Sequence, residues 1–191
     1  REITPPGMPE WATVNSIALS AHDPERAFLA VHRYRMDDFR PYVFRTDDLG
    51  ASWTLLTDSA NGIPDDHFVR AVREDPERRG LLYAGTEFGM YVSLDDGASW
   101  RSLQLDLPVT PITDLAVKRG DLVVATQGRS YWILDDLSPL RQLADGVGTD
   151  APHLFDPRPA VQWLDGSGGR ARGSVGSNPP YGAVLHYVGP Q

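Results

Sequence analysis

The 191-residue chain contains no cysteine, which excludes a disulfide framework, a thiolate zinc site and a thiol nucleophile. Lysine is nearly absent: the 18 basic side chains include only Lys118, and 26 acidic ones outweigh them to a net charge of −8. That balance argues against a nucleic-acid backbone as partner. No apolar run approaches the roughly 18 residues of a membrane-spanning helix. The chain opens on Arg1 with neither an initiator Met nor a charged-then-apolar leader, so it is read as a mature or excised piece. No stretch places Ser, His and Asp around a nucleophile elbow. The Gly-rich tract Gly166–Gly176 lacks both the dinucleotide and the Walker spacing. No metal, nucleotide or redox cofactor is therefore expected.

Turn formers are abundant instead, with 18 Gly and 16 Pro separating short apolar runs, the pattern of an all-β chain. Two segments repeat almost letter for letter, Thr46-Asp-Asp-Leu-Gly-Ala-Ser-Trp53 and Ser93-Leu-Asp-Asp-Gly-Ala-Ser-Trp100, their tryptophans 47 residues apart. A second shared string, His22-Asp-Pro-Glu-Arg26 and Glu74-Asp-Pro-Glu-Arg78, precedes each. A degraded third copy keeps Thr126 and Asp135-Asp136 but lacks the Gly and the Trp.

Each copy reads as four short strands. The first has Val14–Ser20, Ala27–Val31, Pro41–Arg45 and Trp53–Thr57, and the second Val69–Arg73, Leu81–Gly85, Met90–Leu94 and Trp100–Leu103. The third has Ile112–Val117, Leu122–Thr126, Tyr131–Leu134 and Leu140–Leu143. Four strands per repeat of about 40–50 residues predict a partial β-propeller of about three blades, over residues 9–60, 61–108 and 109–145. Residues 146–191 form a Pro/Gly-rich extension with one or two strands: a pair from His153–Phe155 and Ala160–Trp163, a mobile loop over Gly166–Gly176, and a final strand Ala183–Val188. The continuous apolar runs at Leu81–Ala84 and Leu122–Ala125 predict strands buried on both faces. Because propellers close with about four to eight blades, the remaining blades are expected from further polypeptide or from self-association.

The octapeptides have a mechanical logic. Asp48 and Asp95 can accept hydrogen bonds from their own turns, and Gly50 and Gly97 can supply the positive φ that closes a hairpin. Trp53 and Trp100 can bury an indole against the neighbouring blade. A calcium loop needs more oxygen ligands and a distal Glu, so Thr46, Asp48, Gly50, Trp53, Ser93, Asp95, Gly97 and Trp100 are read as structural. Arg119-Gly120-Asp121 is read as turn chemistry rather than a recognition tripeptide.

Over residues 9–145 the chain resembles the Asp-box, or bacterial neuraminidase repeat, propellers, and within them the bacterial sortilin-like and glycosyl-hydrolase repeat proteins. The octapeptides carry the resemblance, together with Leu82-Tyr-Ala-Gly-Thr-Glu87 and Val124-Ala-Thr-Gln-Gly-Arg-Ser130. It implies an exported, secreted or periplasmic bacterial protein, with ligands on the face opposite the octapeptide hairpins and a further domain after Asn178-Pro-Pro-Tyr-Gly-Ala183. Members divide between binding and hydrolysis.

On that opposite face the candidate ligand-binding residues are Arg33, Asp38, Glu87 and Arg129. For catalysis the candidates are Asp38, Glu87, Asp66 and His67, with Asp37 and Asp65 as further carboxylates, because a glycosidase needs two flanking the scissile bond. Glu87 and Arg129, in related turns of successive copies, are expected to form an ion pair between blades. Three functions compete: a propeller that binds a peptide or glycan, a polysaccharide hydrolase using loop carboxylates, and a purely architectural module.

Overall fold

The computed structural model describes residues 2–58, 60–148, 151–160 and 182–189. Three antiparallel sheets follow one another along the chain. The first comprises β1 (Thr13–Leu19), β2 (Ala27–Arg33), β3 (Asp38–Thr46) and β4 (Thr54–Leu55), in the order 1-2-3-4. The second repeats this with β5 (Val69–Glu74), β6 (Leu82–Thr86), β7 (Met90–Ser93) and β8 (Arg101–Ser102). The third has only β9 (Ile112–Lys118), β10 (Asp121–Thr126) and β11 (Tyr131–Leu134), in the order 11-10-9. This is a partial β-propeller. Its inner strands are tied to each other by Arg73 of β5, which donates to Ser16 of β1 at 2.8 Å and to Asp114 of β9 at 2.6 Å.

Connections at one end, the hairpin end, join β1 to β2 and β3 to β4. There the octapeptides fold identically. Thr46 Oγ1 donates to Asp48 and accepts the Gly50 amide at 2.8 Å, while Ser52 donates its amide and hydroxyl to the two oxygens of Asp48. Ser93, Gly97 and Ser99 do the same around Asp95. Gly50 and Gly97 have φ of 78° and 88°, and each follows another left-handed residue, Leu49 or Asp96. The Asp48 carboxyl is lowered to about 2, chiefly by the Ser52 hydroxyl and amide. Arg119 and Gly120 close the β9–β10 hairpin with positive φ, so that tripeptide does turn duty.

The sheets are held together by what these hairpins present sideways. Trp100 is 3% exposed, and its indole N–H donates to the Leu56 carbonyl at the end of the first sheet, 3.0 Å away. It packs in one core with Phe28, Val43, Ile63, Val72 and Leu82. A second core joins the second and third sheets through Leu81, Tyr83, Ile112, Leu115 and Leu122. Polar links reinforce the first junction: Arg26, nearly fully buried, pairs with Asp47, Glu74 and Asp96, and Arg45 reaches Asp96 at 2.7 Å.

Several expectations are corrected. Leu140–Leu143 is not a strand; it lies in helix α1 (Ser138–Ala144). Pro139 suits a first helical turn, the Asp136 carboxylate accepts the Ser138 amide at 3.1 Å, and Arg141 reaches back to the fully buried Asp75 at 3.0 Å. The outer strands are shorter than expected; in the second sheet the Trp100 amide bonds to the Asn61 carbonyl rather than to the ladder. The two Asp-Pro-Glu-Arg strings occupy the same connection but three residues out of step: Ser20 and Asp75 are its equivalent first positions, bonded to Arg26 and Leu81. Leu81–Ala84 is buried throughout, whereas Val123 and Ala125 of β10 are only half-buried. In the extension, β12 (His153–Leu154) pairs with β13 (Tyr187–Val188), so the last strand is shorter than Ala183–Val188. Of the expected partner Ala160–Trp163, residues 161–163 lie outside the described residues, as does the loop Gly166–Gly176.

Replacing Trp100 by Phe keeps most of the ring but removes one of the two donors to the buried Leu56 carbonyl, the other being the Asn61 side-chain amide at 2.7 Å. The expected loss is roughly 0.5–1.5 kcal/mol, read from the urea midpoint. Trp53→Phe, at a half-exposed ring, should cost less. Equal effects would contradict this account of the junction.

Candidate functional site

The β2–β3 and β6–β7 turns and the connection from β4 to β5 lie at the opposite end, and they bring together most of the nominated residues. A cleft of about 570 Å³ is lined by Arg33, Met36, Asp37, Asp38, Phe39, Arg40, Asp65 and Asp66. One wall comes from the enlarged β2–β3 connection. Its first part is a 3-10 turn over Tyr34–Met36, ended by Asp37 in the left-handed conformation with φ 62°. Asp38, expected in a loop, instead begins β3 and pairs with Arg33 across the ladder. The other wall is the connection from the first sheet to β5, carrying Asp65-Asp66-His67.

Asp38 is nearly buried and fully engaged. Arg40 donates Nε and Nη2 to its two oxygens at 2.9 and 2.8 Å, Tyr42 donates its hydroxyl at 2.8 Å, and Arg33 lies 3.6 Å away. Residues 38, 40 and 42 lie on one face of β3 because side chains alternate along a strand, which is why this set forms within five residues. The Arg40 guanidinium, helped by the Tyr42 hydroxyl against the cost of burial, holds the Asp38 carboxyl far below the usual carboxylate range. Burial and the bond to Asp38 push Tyr42 up to about 12.

Beside the cleft runs a strip of aromatic rings that the sequence reading did not single out. Tyr34 stacks on Phe68 with centroids 4.8 Å apart, His32 lies 4.9 Å from Tyr34, and Phe39 is 6.4 Å from Phe68. Arg70 of β5 lies over both Phe68 and Tyr34 and donates to Glu87 at 2.6–2.7 Å. Glu87 therefore pairs within its own sheet, not with Arg129. The strand register explains the correction: Val69 faces Thr86 across the ladder, which sets Arg70 beside the β6–β7 turn. Arg129 lies exposed in the β10–β11 turn, and among the described residues it lines no part of this cleft.

His67 continues the strip. Its Nδ1 lies 2.8 Å from the Tyr91 hydroxyl, its ring 4.7 Å from Phe88, and its Nε2 3.8 Å from Asp66. Burial, followed by the nearby Arg70 and Arg35, lowers the His32 imidazole below its ordinary value. Phe39, Phe88 and Met36 remain exposed around these groups. Among the described residues no cluster of three His, Asp or Glu side chains is disposed to hold a metal ion, and no helix is long and apolar enough to cross a membrane.

Comparison with protein-family models gives no match, and no curated protein matches. Solved structures do resemble the chain. A GH74 enzyme from Niastella koreensis overlays 64% of it with a TM-score of 0.51 and 14% identity. An extracellular domain from B. thetaiotaomicron overlays 70% with a TM-score of 0.50 and 13% identity. The chain spans only 21% and 17% of those proteins' lengths. At such identities the likeness concerns architecture, and that architecture is the β-propeller.

A carboxyl held below its ordinary value contributes stability above about pH 4, and that contribution is lost as pH falls through the folded-state value. Asp38→Asn should therefore lower stability at pH 7 by roughly 1–3 kcal/mol and flatten the loss between pH 4 and pH 2. Urea midpoints at pH 7, 4 and 2 read both effects. An unchanged acid slope would contradict the assignment of Asp38.

Proposed function

We propose that the chain is a binding module of a larger propeller, which takes an oligosaccharide or an extended peptide in the cleft between the β2–β3 connection and the Asp65–His67 segment. The observation that carries this reading is the state of Asp38 and Glu87. Both are bound by arginines, and Asp38, held ionised, is not disposed to donate a proton to a leaving group. A glycosidase requires one carboxyl kept protonated near neutrality by an apolar or like-charged setting. The exposed rings of Phe39 and Phe88, flanked by paired charges, suit the apolar faces and hydroxyl edges of sugars, or the side chains and amides of a peptide.

The repeated octapeptides fit this reading as Asp-boxes of a sortilin-like propeller, with blades over 9–60, 61–108 and 109–145. Residues 146–191 then lead toward a following domain, and the sequence resemblance supports export from a bacterial cell. A hydrolase is the second reading. It is favoured by the solvent-exposed Asp65 and Asp66 sharing the cleft with Asp37 and Asp38, and it would place proton transfer on Asp66 with His67.

Glycan and peptide arrays probed with the protein, followed by calorimetry on the best ligand, test the proposal. Phe88→Ala and Asp66→Asn should each weaken binding by about tenfold, near 1.4 kcal/mol, while Arg119→Ala at the hairpin end leaves it unchanged. Turnover of a bound glycan that Asp66→Asn abolishes would establish the hydrolase instead.

A further inference from the structure

The two sheet junctions inside the chain can be compared position by position with the free side of the first sheet. The register makes Val14, Val69 and Ile112 equivalent, since each precedes the bulge of its inner strand, or flanks it, opposite the end of the next strand. Ile17, Val72 and Leu115 are equivalent in the same way, opposite Leu29, Ala84 and Val124. In the second and third sheets these residues are 0–2% exposed, covered by the sheet before them. In the first sheet Val14 is 40% exposed, Ile17 66%, and Leu19 beside them 79%.

The residues before β1 repeat the other half of the junction. Trp53 donates its indole N–H to the Ile3 carbonyl at 2.8 Å, as Trp100 does to Leu56. A methyl at Gly50 would meet the Ile3 side chain at 3.0 Å, and one at Gly97 would meet Leu56 at 2.8 Å. Downstream, Gly7-Met8-Pro9 matches Gly62-Ile63-Pro64, with positive φ at both glycines. Met8 packs on the core beside Trp53, and Ile63 on the core beside Trp100. Ile3 thus stands where the outer strand of a preceding sheet would end. The segment to Met8 and the β1 face together enclose an apolar groove of about 410 Å³, floored by Ile17, Leu29 and Gly50.

We infer that the β1 face is the seat of one more four-stranded sheet of the same construction, carried on the polypeptide directly upstream of Arg1 and ending its outer strand at Ile3. The junction is continuous with those already present, because chain and contact run through Ile3 as they run through Leu56. Residues 3–12 are then an inter-blade connection rather than a terminal arm.

The test compares this 191-residue chain with the encoded polypeptide extended upstream by about one repeat, 40–50 residues. The shorter chain should bind an apolar dye at the β1 face, and Ile17→Asp with Leu19→Asp should abolish that binding without lowering the urea midpoint. The extended protein should not bind the dye, should protect the Val14–Leu19 amides from exchange, and should lose midpoint in the same double variant. If that variant does not fold in the extended protein, dye binding and amide protection of the unsubstituted pair decide. Unchanged dye binding and exchange on extension would overturn the inference. So would upstream sequence without strand-forming repeats, or a dimer of the shorter chain that Ile17→Asp dissociates and that persists on extension, which would name a second copy as the occupant.

Discussion

A four-stranded sheet of this kind is apolar on both faces and cannot stand alone in water; each must be covered by a neighbour on either side. Every other feature of the molecule follows from how that cover is fixed in place. The octapeptide hairpin is one fixing device. Its Ser or Thr and Asp side chains satisfy the turn's own amides, its glycine allows an aliphatic side chain from the preceding segment to approach, and its indole reaches across to a backbone carbonyl. The indole shares the buried Leu56 carbonyl with the Asn61 side-chain amide, and its directional bond favours one angle and one spacing between sheets where apolar contact alone would tolerate several.

Charged groups perform the same task where apolar contact ends. Arg26 gathers Asp47, Glu74 and Asp96 at the first junction, and Arg141 holds Asp75 and Glu77 from the helix that replaces an outer strand in the third sheet. Many of the surplus carboxylates are therefore already committed to arginine forks, whose planar geometry suits bidentate pairing. The near-absence of lysine is consistent with that use. Asp38 at the cleft and Glu87 beside the aromatic strip are held by arginines in the same way, and Asp38 is thereby kept ionised.

The fold was legible because its signals are local. Thr46–Trp53 and Ser93–Trp100 satisfy their own hydrogen bonds, so the letters of the motif carry the geometry with them. The failures lie where a distant partner decides. Leu140–Leu143 has apolar residues enough for a strand, yet Pro139, the buried Leu137 and the reach of Arg141 to Asp75 make it helical. Glu87 and Arg129 sit in corresponding turns, but Arg70, brought alongside by the β5–β6 register, engages Glu87. Tyr34, Phe68 and Phe88 carry no spacing signature; only their adjacency to Arg33, His67 and Glu87 marked the region, and their stacking depends on two sheets meeting.

Native-state hydrogen exchange on the 191-residue chain tests the central claim, that the middle sheet is clamped between its neighbours through the indole-bonded junction. The slowest amides should be those of Val69–Glu74 and Leu82–Thr86, exchanging only with global unfolding, while Thr13–Leu19 and Tyr131–Leu134 exchange faster by local opening. Exchange of the three sheets as independent units, with no extra protection of the middle one, would contradict the account.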